Sequence, residues 1–112
     1  MITRSARTEG PNSQLPSSQT VGSPHAIEKG LVSVSRIKVL RALAKAGSEG
    51  LTKYAVEMDS GVSYYDVLKA LKALVEIGWV ERLPTEPVRY RLNLDDDAMI
   101  GLIEFFRKAG YI

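Results

Sequence analysis

The sequence predicts a small, mainly α domain that carries one β-hairpin and ends in a further helix. Three observations predict it. Apolar residues recur at helical spacing in three stretches between Ser33 and Ile77, each opened by a hydroxyl side chain and followed by a glycine. After Gly78 the apolar period becomes two and stays so until Leu92. A last helical pattern then follows three consecutive acids, Asp95, Asp96 and Asp97, which suit the positive end of a helix dipole.

Residues 1–30 read as a disordered tail. Ser, Thr, Pro, Gly, Asn and Gln dominate it, and few large apolar residues are present to offset the entropy of ordering. It is either an inert tail or an arm whose Arg4 and Arg7 touch a phosphate backbone or minor groove. His25, the only histidine, falls in this segment and has no companion that would make it a metal ligand or a catalytic base.

The first helix runs from Ser33 or Ser35 to Ala46, with Ser35 as a good N-cap and Gly47 as the stop. Val34, Ile37, Leu40, Leu43 and Ala44 form its apolar stripe, and Arg36, Lys38, Arg41 and Lys45 occupy the rest. Gly47 to Gly50 is a turn and Leu51 a very short strand. Thr52 N-caps a second helix over 53–60, with Tyr54 or Ala55 and Met58 toward the core. Gly61 ends it, and Val62 fills the corner. Ser63, with Asp66 three residues on, then reads as a capping box, and Gly78 as a left-handed cap. Between them Val67, Leu68, Leu71, Leu74 and Val75 make one apolar face. Tyr65, Lys69, Lys72 and Glu76 fall on the other, with Tyr64 in the first turn. Such a helix suits a DNA groove, the alternative being a solvated face. Short helix, glycine turn and longer helix together have the spacing of a helix-turn-helix.

Trp79 to Leu83 and Val88 to Leu92 are the strands of the hairpin, joined by a loop with Pro84 and Pro87. Val88, Tyr90 and Leu92 point one way, while Arg89 and Arg91 point the other. Those arginines either meet phosphates or pair with Glu81 and Glu86. In the last helix Met99, Leu102, Ile103 and Phe106 form one stripe, with Ile100 and Phe105 off it. That is more apolar surface than one face of a small domain needs. The economical partner is the same helix of a second subunit related by a two-fold axis, the alternative being the domain's own core.

Composition narrows the function. The chain has 112 residues, enough for one domain, and no cysteine, which removes disulfides, thiolate metal sites and a cysteine nucleophile together. The apolar runs are too short to span a membrane, and the start lacks the apolar core of a secretory signal, so a cytoplasmic protein is expected. The net charge is +2, with the basic excess in residues 31–94. No phosphate-binding loop, paired carboxylates or metal-ligand spacing occurs, so neither an enzyme nor a bound cofactor or metal is expected. The three aspartates lack the spacing of a calcium loop.

The stretches 35–43, 50–52, 71–82 and 88–92 resemble the winged helix-turn-helix proteins, most closely small archaeal and bacterial transcription regulators of the ArsR/MarR-like type. The resemblance covers roughly residues 31–112. It implies a winged helix-turn-helix domain over 31–94, a three-helix core plus wing, and a C-terminal dimerisation helix over 95–112. By it, the helix at 63–77, opened by Ser63, is the recognition helix, with Tyr64, Tyr65 and Lys69 at base edges or phosphates and Lys72 further out. Thr52 and Lys53 would meet a phosphate, and Arg82, Arg89 and Arg91 would act from a basic wing at 80–92. Met99, Ile100, Leu102, Ile103, Phe105 and Phe106 would dimerise. The implied function is a homodimeric DNA-binding regulator on a near-palindromic site in double-stranded DNA. The alternative is a winged-helix protein-interaction or architectural module in a transcription, replication or segregation assembly. Two departures matter. Without cysteines or clustered histidines, the metal sensing of ArsR-type members is not expected. The recognition helix also lacks Arg, Asn and Gln, the usual bidentate base readers, so recognition would lean on DNA shape.

Overall fold

The computed structural model describes residues 24–112. They form five α-helices, one turn of 3-10 helix and three short strands. In chain order these are α1 (Pro24–Gly30), α2 (Val34–Ala46), the 3-10 turn (Gly47–Glu49), β1 (Leu51–Thr52), α3 (Lys53–Ser60), α4 (Tyr64–Glu76), β2 (Val80–Leu83), β3 (Arg89–Leu92) and α5 (Asp97–Lys108). The result is mainly helical, with one antiparallel sheet in the order β1–β3–β2.

Local chemistry sets most of the boundaries. Ser33, Thr52 and Ser63 each stand just before a helix and accept a backbone N–H three residues on: Arg36 at 3.2 Å, Ala55 at 3.1 Å and Asp66 at 3.3 Å. The Asp96 carboxylate accepts from the Ala98 N–H at 2.8 Å. Each cap satisfies a donor that the first helical turn leaves without a partner, worth about 1 kcal/mol. Gly61 closes α3 in the left-handed conformation, φ 73°, and Val62 is buried in the corner before α4. Gly50 combines a φ of 72° with a close approach, since a Cβ there would lie 2.5 Å from the Tyr90 carbonyl oxygen. Only glycine lets the chain pass β3 at that distance.

The register pairs Leu51 with Tyr90 and Thr52 with Arg89 on one side of β3, and Val80, Glu81, Arg82 and Leu83 with Leu92, Arg91, Tyr90 and Arg89 on the other. Leu40 and Leu43 of α2, Val56 of α3 and Val67, Leu71 and Leu74 of α4 meet Trp79, Val80, Tyr90 and Leu92 in one core. Met99 and Phe106 of α5 belong to the same core, so residues 95–112 share the hydrophobic centre of residues 31–94.

Several expectations are corrected. Residues 24–30, assigned to the tail, form α1. This helix ends on Gly30, where a Cβ would stand 2.2 Å from the Trp79 ring, and Lys29 Nζ lies 3.3 Å from Glu76 Oε1. The expected arm residues Arg4 and Arg7 lie outside the described residues. Ser33 rather than Ser35 caps α2, and Val34 is exposed because the buried arc runs through Val39, Leu40, Ala42 and Leu43. α3 turns Val56 inward, which leaves Tyr54 and Met58 at the surface. α5 starts at Asp97, with Asp96 as its cap.

Candidate functional site

α4 places one face in the core and one in solvent. Val67, Ala70, Leu71, Ala73 and Leu74 are buried, whereas Tyr64, Tyr65, Lys69, Lys72 and Glu76 are exposed. Tyr65 is 69% exposed, and the Lys69 ammonium lies 5.3 Å from its ring centroid. The pair therefore presents one joined surface of ring and charge.

Beside this face runs a cleft of about 450 Å³ between α4 and the hairpin. Leu68, Leu71 and Val75 of α4 and Tyr90 of β3 form an apolar lining. Lys53 from the start of α3, Lys72 from α4 and Arg82 from β2 bring three cations to it, with Glu76 as its acid. Arg82 stands opposite Tyr90 in the register and so shares the sheet face that looks toward α4. Glu76 is already paired with Lys29. Among the described residues the ion pairs are Lys29–Glu76, Lys45–Asp59 and Arg91–Glu81, so the cations of the cleft belong to none of them. The cleft thus offers three positive charges with no acid bound to them, over an apolar floor. This can hold an anionic group that carries apolar surface.

The remaining wing residues sit elsewhere. Arg89 and Arg91 alternate with Tyr90 and occupy the other face of the sheet, together with Glu81 and Leu83. Arg91 Nε donates to Glu81 Oε2 at 3.2 Å, and its Nη1 donates to the Ser48 carbonyl at 3.2 Å. This arginine ties the hairpin to the 3-10 turn, whereas Arg89 is exposed. The three arginines expected to act together from the wing are therefore divided: Arg82 faces the cleft with Lys72, and Arg89 and Arg91 face away from it. Thr52 and Ser63 both act as caps through their hydroxyl oxygens. On the far flank of α4, Lys69 and Asp66 line a smaller groove with Arg36, Val32, Ser33 and Ser35. Arg36 was read only as part of a helix surface, and nothing local in the sequence pairs it with Lys69.

The residues expected to dimerise divide into three groups. Met99 and Phe106 are buried in the chain's own core, which corrects their assignment to a second subunit. Leu102 and Ile103 pack partly against that core. Ile100 and Phe105 are exposed, Phe105 at 63%. The C-terminal turn is fastened to α2: Arg41 Nε donates to the Tyr111 carbonyl at 2.6 Å, and the Arg41 guanidinium lies 4.5 Å from the Tyr111 ring centroid. A second groove, of about 630 Å³, lies between α2 and α3. Sequence pattern does not reveal it, because helical spacing alone directs Tyr54 and Met58 to the core, whereas both are exposed and line this groove.

Among the described residues no group of three or more His, Cys, Asp or Glu side chains could hold a metal ion, and no helix is long and apolar enough to cross a membrane. Comparison with protein-family models, curated proteins and solved structures gives no match.

Proposed function

We propose that the chain is a winged helix-turn-helix DNA-binding protein, acting as a homodimeric transcription regulator on a near-palindromic site. In this reading α4 enters the major groove and the β2–β3 hairpin is the wing. The element order from α2 to β3 and the sheet order β1–β3–β2 support the winged-helix assignment. The role is binding rather than catalysis.

The observation that carries the reading is the convergence of Lys53, Lys72 and Arg82, from three different elements, on the cleft beside the exposed face of α4. Cations without acid partners neutralise phosphates and release counterions, which gives DNA affinity its salt dependence. Tyr64, Tyr65 and Lys69 extend the surface along α4 toward base edges. Because that face lacks Arg, Asn and Gln, discrimination between sites rests on Lys69, on aromatic contact and on DNA shape. Arg89 and Arg91 have a smaller part than the resemblance implies, since they lie on the opposite sheet face and Arg91 is engaged.

The test is selection of bound fragments from the source genome by the purified full-length protein, at low and at high salt. Enrichment of a few two-fold-symmetric sites that survives moderate salt is the expected result. Uniform retention that vanishes with salt would replace the regulator with an architectural DNA binder. No retention at low salt would overturn the DNA reading. It would favour a protein-interaction module, which the exposed Tyr54 and Met58 beside the α2–α3 groove also support.

A further inference from the structure

We infer that the cleft between α4 and the hairpin is a small-molecule site for a phosphomonoester with a compact hydrocarbon body. Lys53, Lys72 and Arg82 hold the phosphate, and the apolar lining holds the body. DNA phosphates account for the cations of this cleft but not for two of its other features. One is the floor of Leu68, Leu71 and Val75, which a sugar-phosphate backbone does not need. The other is the hydroxyl of Tyr90. The consequence for DNA binding rests on the proposed function, whereas the site itself does not.

Tyr90 lines the cleft and is only 5% exposed. Its backbone is paired on both sides, opposite Leu51 and Arg82. Its phenol hydroxyl, by contrast, makes no hydrogen bond among the described residues. A buried tyrosine hydroxyl ordinarily finds a partner, because leaving one without is costly. The cleft is the open space that this side chain borders, so a ligand oxygen seated there can accept the hydroxyl proton. Arg82 stands opposite Tyr90 in the register, which sets a charged donor beside the neutral one. The volume of about 450 Å³ falls within the range of small-molecule sites, about 300–1,000 Å³.

Charge selects the head group. Glu76, the acid of the cleft, lies 3.3 Å from Lys29, so Lys53, Lys72 and Arg82 set the local sign. A carboxylate matches only one of their charges. A phosphomonoester carries about −1.5 to −2 at neutral pH and offers three acceptor oxygens. Arginine meets two of those oxygens as a fork, and lysine meets a phosphate as a point charge on a flexible stem. The floor selects the body. The side chains of Leu68, Leu71 and Val75 have no donor or acceptor, so they leave the edge of a nucleobase or the hydroxyls of a sugar without partners. A hydrocarbon body loses nothing there and gains burial. Because this ligand and a DNA backbone need the same three cations, the two compete.

The test is titration calorimetry of the full-length chain without DNA, with naphthyl phosphate as the probe. The expected result is one probe per chain, bound about 10-fold or more tighter than inorganic phosphate, naphthoate or naphthol. Tyr90→Phe keeps the ring and removes the hydroxyl. It should weaken the probe about 10-fold without lowering stability to urea, since the hydroxyl has no partner among the described residues. Lys72→Gln and Arg82→Gln, at exposed positions, should each weaken it about 10-fold with unchanged circular dichroism. No heat at millimolar probe, equal affinity for inorganic phosphate or naphthoate, or indifference to Tyr90→Phe would each overturn the inference. In a second measurement, fluorescence anisotropy, the probe should release a labelled duplex from the wild-type chain. Release by inorganic phosphate at the same concentration would overturn the competition as a property of this cleft. Probe binding by a chain that retains no DNA would support the site and overturn only the DNA reading.

Discussion

Replacing Lys53, Lys72 and Arg82 together by glutamine should flatten the salt dependence of DNA binding without unfolding the chain. The structure sets the size of the effect. None of the three is in an ion pair among the described residues, and all three line one cleft. Each is therefore available to neutralise one phosphate, and each phosphate neutralised contributes about 0.9 to the slope of log K against log salt. Removing three should lower that slope by about 2.7. Between about 50 and about 200 mM salt, the variant should then lose roughly 40-fold less affinity than the wild type loses. Fluorescence anisotropy titrations of a labelled duplex across that range measure the slope directly. Arg91→Gln is the matched control. Its guanidinium is held by Glu81 and the Ser48 carbonyl, so it should lower thermal stability and leave the slope nearly unchanged. An unchanged slope in the triple variant, with a large loss on Arg91→Gln or Arg89→Gln, would refute the cleft as the phosphate site and move it to the other sheet face.

Three further outcomes concern the scaffold. Gly30→Ala would drive a methyl group into the Trp79 ring, where a Cβ lies 2.2 Å from Cζ3. The displaced α1 should uncover the chain's only tryptophan, read as a red shift of its fluorescence, with a stability loss of about 1–3 kcal/mol. Gly50→Ala combines a left-handed φ with a Cβ 2.5 Å from the Tyr90 carbonyl oxygen, and urea denaturation should show a loss of about 1–3 kcal/mol. Leu74→Ala empties a fully buried position in the last turn of α4. It should lower the unfolding free energy by about 2–5 kcal/mol, and a smaller loss would mean that the core around α4 can collapse.

What could be read from the sequence was mostly what neighbours in the chain decide. The caps Thr52 and Ser63, the glycine that ends α3 and the left-handed Gly78 after α4 depend on contacts within a few residues. The start of α3 was therefore placed to the residue. α1 was missed because its reasons are distant: Gly30 leaves room for the Trp79 ring, and Lys29 pairs with Glu76, 47 positions away. The rotation of α3 was misread for a similar reason. Over eight residues its periodicity is too short to choose between Met58 and Val56, and contact with α2 and α4 decides it. At the candidate site, the alternation along β3 had already separated Arg89 and Arg91 from Tyr90. Their grouping with Arg82 ignored that Arg82 pairs with Tyr90 and so lies on the side facing α4. Lys53, Lys72 and Arg82 were each named, but only the fold shows that they meet in one cleft.

The sheet also bears on how copies of this chain can meet. Its order leaves β1 and β2 as its two edges. β1 has only two residues, and the second of them, Thr52, caps α3. It offers almost no backbone ladder for another strand to extend. β2 carries Glu81 and Arg82 and runs straight into Pro84, features that discourage a strand from adding to an open edge. Both ends of the ladder are thus blunted against fibre-like stacking. The proposed homodimer would therefore form through the helical surfaces, where side-chain shape and charge, rather than backbone pairing, determine which copies fit.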